Sequence, residues 1–122
     1  MPYLIDSDYI IDRLAPDGIS ISIITYMETY QGVVRSPNLK EAQAKFRDFR
    51  KTIPVLPFSL SAAKQCATLR EQLKREGKRV KSRALDLINA SIALEYNLIL
   101  VTRNIDDYKD IPGLQIHKVA AP

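Results

Sequence analysis

Acids that follow short apolar runs are the residues of this chain with the clearest chemical potential. Asp6 ends Tyr3-Leu4-Ile5, and Glu28 follows the alternating Ile19-Ser20-Ile21-Ser22-Ile23. Asp86 opens the apolar run Ala84 to Leu94, and Asn104, Asp106 and Asp107 come soon after Leu98-Ile99-Leu100-Val101. A buried strand read from such a run ends at the polar residue, and that edge is where open α/β sheets bind ligands. Strands alternating with helices bring those ends together, so Asp6, Glu28, Asp86 and the cluster from Asn104 to Asp107 are expected to converge. Two unit charges about 4 Å apart repel by roughly 4 kcal/mol at an effective dielectric near 20, so several carboxylates in one cleft require a cation. Oxygen ligands without imidazole or thiolate select a hard ion, Mg2+ with Mn2+ as a substitute. Magnesium meets its substrate through phosphate oxygens. With the basic segment Lys78, Arg79, Lys81 and Arg83 immediately before Asp86, the site points to a phosphodiester.

Each of these residues also has a plainer reading. Thr25 stands three residues before Glu28 as in a capping box, so Glu28 reads equally as a helix cap. Asp86 in a first helical turn is favoured by the helix dipole alone, although a charge at the start of so apolar a helix asks for a partner. Basic runs are most often solvated loops. Cys66, the single cysteine, lies among Ala62, Ala63, Ala67 and Leu69 and reads as a small core residue. His117, the single histidine, lies beyond the polar clusters and reads as a surface residue at a strand end.

The elements that must hold these residues are legible in order. A strand ending at Asp6 leads into a helical pattern over 9–14, and Ala15-Pro16-Asp17-Gly18 breaks it. A second strand ends near Ser22, and the following helix is punctuated by Gly32 and Pro37. Leu39 to Arg50 repeats Leu39, Ala42, Phe46 and Phe49 at helical spacing with a charged opposite face. Ile53-Pro54-Val55-Leu56-Pro57 suits only a sheet edge. Ser59 or Ser61 caps the next helix, which runs to Gly77, and Asn97 ends the apolar helix before the fourth strand. A last strand lies around Leu114 to His117.

With 122 residues, 46% of them hydrophobic, and no linker or repeat, one domain over residues 1–122 is expected. The net charge of +4 favours an anionic partner. A lone cysteine fits a reducing compartment, the start lacks the order of a signal peptide, and no apolar run is long enough for a bilayer. A cytoplasmic protein with no membrane association is expected.

The motifs and their order resemble those of PIN-domain nucleases, most closely the VapC-type ribonuclease toxins of toxin-antitoxin pairs. Leu4-Ile5-Asp6-Ser7-Asp8-Tyr9 resembles the family's opening motif, and Ser22-Ile23-Ile24-Thr25-Tyr26-Met27-Glu28 followed by Gly32 the second. Asp86-Leu87-Ile88-Asn89-Ala90 resembles the third, and Leu100-Val101-Thr102-Arg103-Asn104 with Asp107-Tyr108 the fourth. The resemblance implies a three-layer α/β/α domain with a mainly parallel central sheet. It implies catalytic roles for Asp6, Glu28, Asp86, Asn104 and Asp107, with Asp6 and Asp86 holding Mg2+ directly while Glu28 and Asn104 complete the site partly through water. Thr25 or Ser22 would orient the glutamate or contact phosphate, and Lys78, Arg79, Lys81 and Arg83 would contact the RNA backbone. A homodimer and a cognate antitoxin are implied as partners, with Tyr9, Tyr26 and Tyr30 either forming an antitoxin groove or covering the domain's own core. Two positions depart from the pattern: Asp8 stands where asparagine is usual, and Asn104 where many relatives carry a fourth acid, a charge Asp107 or Asp8 would then supply.

Two other readings stand beside this one. Asp6-Ser7-Asp8 after a strand, with a later strand ending in Thr102, also occurs in haloacid-dehalogenase-like phosphatases, where Asp6 would attack phosphorus and Asp8 act as acid and base. That reading leaves Glu28 and Asp86 without roles. Asn104 also admits a PIN-like module that binds RNA or a partner without cleaving it.

Overall fold

β-Branched and leucine-rich runs buried on both faces form the centre of the computed structural model, which describes residues 3–6 and 18–118. Five parallel strands lie side by side: β1 (Tyr3–Ile5), β2 (Ile19–Ser22), β3 (Val55–Leu56), β4 (Ile99–Thr102) and β5 (Ile116–Lys118). Their order is β3-β2-β1-β4-β5, so the chain steps outward from β1 in one direction, then returns to fill its other side. The short Pro-flanked β3 is an edge strand, as its prolines require. The helical pattern expected over 9–14, with Asp8 and Tyr9, lies outside the described residues.

Alternation along the strands divides the core in two. Leu4 and Leu100 face one side, where α3 (Leu60–Arg75) and α4 (Ala84–Glu95) bury Ala62, Cys66, Leu69, Leu73, Leu87, Ala90, Ile92 and Ala93 against them. Ile5, Ile19, Ile21 and Val101 face the other, covered by Tyr26 of α1 (Ile23–Val34) and Phe49 of α2 (Leu39–Arg50). The result is the three-layer α/β/α arrangement expected from the sequence. Cys66 is buried as a small core residue, and His117 is exposed.

Helix ends follow capping chemistry. Ser59 rather than Ser61 caps α3, accepting from the Ala62 N–H at 3.0 Å, while Ser61 donates to Glu95. Asn97 takes the left-handed conformation (φ 54°) just past α4, and the Leu98 N–H returns to the Ala93 carbonyl. Two expectations shift in α1. Its cap is Ser22, whose Oγ accepts from the Thr25 N–H at 3.1 Å, so the helix starts three residues before the capping box suggested. Gly32, expected to end the helix, lies within it, because the i to i−4 bonding continues as far as the Arg35 N–H on the Gln31 carbonyl. No helix among the described residues is long and apolar enough to cross a membrane.

Candidate active site

Strand order alone locates the site. The connections leave β1 in opposite directions, and in open parallel sheets ligands bind at such a switch point, beyond the carboxyl ends of the strands. Ile5 pairs with Ile21 on one side and Val101 on the other, so one residue further on Asp6 stands between Ser22 and Thr102. The Asp6 N–H still reaches the Val101 carbonyl at 3.3 Å, which fixes the backbone from which its side chain projects.

Asp86 comes to Asp6 from the first turn of α4. The two acids are close enough for the charge of Asp86 to raise the pKa of Asp6. Tyr108 lies between them: its ring is buried in the core and its hydroxyl donates to Asp86 Oδ1 at 3.1 Å. Burial is the main cause that raises Asp6, opposed by the nearby hydroxyls of Thr102 and Tyr108 and by the Arg103 charge. Burial also leads for Asp86, with the Asp107 charge adding to it and the Tyr108 hydroxyl, Arg83 and Arg79 opposing. Tyr108 itself is pushed upward, first by burial and then by both carboxylates, and so remains a hydroxyl donor.

One atom of this pair is left over. Asp6 Oδ1 is buried and makes no hydrogen bond, a costly state for a carboxylate oxygen. An oxygen with free lone pairs beside a second carboxylate suits a hard divalent cation. Two protein carboxylates are what a magnesium ion commonly uses, since it retains several waters.

The remaining expected residues are placed less closely. Glu28 is exposed in the second turn of α1, and among the described residues no three acids, histidines or cysteines form a group arranged to hold a metal. Among the described residues the charge of Asp86 bears on Asp6 and that of Asp107 on Asp86. Asn104 is exposed past the end of β4, its N–H donating to Thr102 Oγ1 at 2.9 Å. Asp107 is half-buried and accepts from Arg79 Nη2 at 3.0 Å. Ser22 and Thr25 are buried, so neither faces a substrate; Ser22 Oγ instead donates to Asn89 Oδ1.

The basic segment divides. Lys78, Arg79 and Lys81 are exposed, Lys78 beside Glu76 at 3.0 Å. Arg83, expected on the RNA-facing rim, is instead an interior residue, its side chain only 2% exposed. It grips both oxygens of Asp110 at 2.6 and 2.8 Å and donates to the carbonyls of Arg79 and Asp107. The segment carrying Asp107 and Tyr108 is thereby tied to the start of α4. Tyr26 and Tyr30 stack on each other at 6.1 Å and close on Phe46 at 5.1 and 5.5 Å, so they join α1 to α2 as core cover. Sequence reasoning gave no role to Tyr108, Asn89 or Thr102. Asn89 carried the one available signal, a polar side chain on an otherwise apolar helix face.

Comparison with known proteins settles the family. The PIN domain family model matches residues 5–114. The chain belongs to the PIN-domain family. This PIN domain is 33% identical over 96 residues to "Ribonuclease VapC2" of Rickettsia felis, covering 79% of the chain and 70% of that protein. It is 31% identical over 104 residues to the "tRNA(fMet)-specific endonuclease VapC" of Salmonella typhimurium, covering 85% and 77%. Among solved structures, VapBC2 from Rickettsia felis bound to a DNA fragment from its promoter superposes with a TM-score of 0.80 at 27% identity, over 98% of this PIN domain and 100% of that chain. A haloacid-dehalogenase-like reading does not survive this match, and the phosphatase roles for Asp6 and Asp8 go with it.

Proposed function

We propose that this chain, as a single PIN-type domain over residues 1–122, is a metal-dependent ribonuclease and the toxin of a toxin-antitoxin pair. The observation that carries the reading is the Asp6 and Asp86 pair at the switch point of a parallel sheet, with Asp6 Oδ1 buried and unpartnered. The names of its relatives support it: two are a ribonuclease and a tRNA endonuclease, and a similar solved structure is a member of the VapBC family of toxin-antitoxin systems.

Asp6 and Asp86 would hold Mg2+, or Mn2+ in its place. When bound, such an ion supplies an activated water and offsets charge building on phosphate oxygens. The chain's own residues do the rest. Tyr108 and Thr102 hold the two carboxylates in place. Asn104, Asp107 and Glu28 are candidates to orient the attacking water or the leaving oxygen from the rim. Lys78, Arg79 and Lys81 offer cationic contacts to the RNA backbone, which position the strand without reading its bases. A cognate antitoxin, a homodimer and a cytoplasmic location complete the reading.

The test is RNA cleavage by the wild type, Asp6→Asn and Asp86→Asn, in Mg2+ and in chelator. Cleavage by the wild type in Mg2+ alone, reduced at least about a hundredfold in either variant, is the expected result. Equal cleavage by all three proteins, or cleavage that persists in chelator, would overturn it.

A further inference from the structure

A hydrogen-bonded file of buried side chains runs beneath the two acids. It starts at the cap of α1, where Ser22 Oγ donates to Asn89 Oδ1. With that oxygen occupied, the Asn89 amide nitrogen is the group left to face the Tyr108 hydroxyl, whose pKa Asn89 lowers slightly against the larger rise from burial. The Tyr108 hydroxyl in turn donates to Asp86 Oδ1 at 3.1 Å and also bears on Asp6. Ser22, Asn89 and Tyr108 are each at most 3% exposed, so the file is sealed from solvent and water cannot replace any member.

Direction matters in such a file. A phenol can donate its single proton only once, and an amide donating to its oxygen leaves that proton for a carboxylate. Were Asn89 reversed, its oxygen would compete with Asp86 for the phenolic proton. Ser22, fixed as a helix cap, favours the observed orientation by donating to Asn89 Oδ1. The three residues come from β2, α4 and the segment after β4, so they also register the elements that deliver the two acids.

We infer that Tyr108, oriented by Asn89, is a positioning residue that holds Asp86 beside Asp6 for a divalent cation. This deepens the metal-dependent reading above and rests on it. Neither residue touches the reacting atoms. Donors behind metal-ligating groups commonly contribute ten- to hundredfold to affinity, because an unheld carboxylate must be ordered on binding.

Mn2+ titrated into the metal-free full chain, followed by calorimetry and by the loss of free-ion paramagnetic signal, tests the inference without reference to cleavage. Tyr108→Phe keeps the ring and removes only the hydroxyl; it is expected to weaken Mn2+ binding about tenfold or more, with the melting temperature in chelator within a few degrees of wild type. Asn89→Leu is expected to weaken binding as well, and the double variant to bind no worse than Tyr108→Phe alone, since both act through one hydroxyl. Tyr3→Phe, a hydroxyl removed from the opposite face of the sheet, should leave Mn2+ affinity unchanged. Mn2+ binding by Tyr108→Phe equal to or tighter than wild type overturns the role of the hydroxyl, and losses that multiply in the double variant overturn the coupling to Asn89. If Asn89→Leu does not fold, Tyr108→Phe decides the question alone. A wild-type chain that binds no Mn2+ would bring down the metal reading itself, an outcome distinct from equal binding by wild type and variant.

Discussion

A buried carboxylate oxygen without a donor makes Asp6 a source of instability whenever no cation is near. The sign of its pH dependence follows. Burial, with each acid's neighbouring charge, raises the folded pKa of Asp6 and Asp86, while in the unfolded chain both ionise near the ordinary value of about 4. The folded state therefore binds more protons between those limits, and its stability falls as pH rises from about 4 through the raised values. In chelator, Asp6→Asn is expected to raise the unfolding free energy measured in urea at neutral pH by an amount of order 1 kcal/mol, and to flatten that pH dependence. The same variant should lose the stabilisation the wild type gains from Mg2+, which at a hundred times Kd is about 2.7 kcal/mol. Asp6 was visible in the sequence because an acid directly after an apolar run is unusual, and Asp86 because it is a charge at the start of an otherwise apolar helix. Tyr108 was not, because a tyrosine near a chain's end gives no sign of where its hydroxyl will point. Glu28 was legible as a motif, and only the cap of its helix differs, Ser22 in place of Thr25.

Elements carry the next layer of support. Arg83 fastens the first turn of α4 and the segment around Asp107 to Asp110, with both oxygens of that acid engaged. Breaking a buried ion pair by removing one partner commonly costs 3–5 kcal/mol. Asp110→Ala, which strands the deeply buried Arg83, should therefore destabilise by about 3 kcal/mol, more than Arg83→Met, since Asp110 can still reach water. Chemical denaturation of both variants measures the difference. Arg83 holds the Asp110 carboxyl below its ordinary pKa, so this pair contributes above the unfolded value near 4 and is lost as pH falls through the folded one. The two variants should lack that acid limb. Ser22→Ala removes a helix cap and the partner of Asn89 together, and a loss of about 1–2 kcal/mol is expected in the same assay. Helices were readable from apolar spacing and the edge strand from its prolines, because both patterns state a local preference. Arg83 was misplaced because four basic residues close together look alike until a distant acid selects one of them.

Across the molecule, the proposed RNA contacts rest on exposed cations that precede Asp86 in the chain. Lys78 and Lys81 lie on the surface of the segment that leads into α4, with Arg79 already drawn toward Asp107. RNA binding in chelator should weaken as salt rises, and Lys81→Ala should make the plot of log affinity against log salt shallower by about 0.7, the value for one phosphate neutralised on a single strand. A slope identical to wild type would remove Lys81 from the interface. Layering and sheet direction were legible from the alternation of strand and helix patterns, and the family from four motifs in order. Which basic residues face outward was not, since that is decided by interactions between segments far apart in sequence.

The placement of β1 between β2 and β4 has a consequence for synthesis. Leu4 finds one lateral neighbour, Ser20, early, and the other, Leu100, only after most of the chain has been made. Such long-range closure is slow and comes late. A fragment that ends before β4 has no Thr102 beside its first acid and no Tyr108 behind it, so the proposed ion site is expected to form only once both have been made.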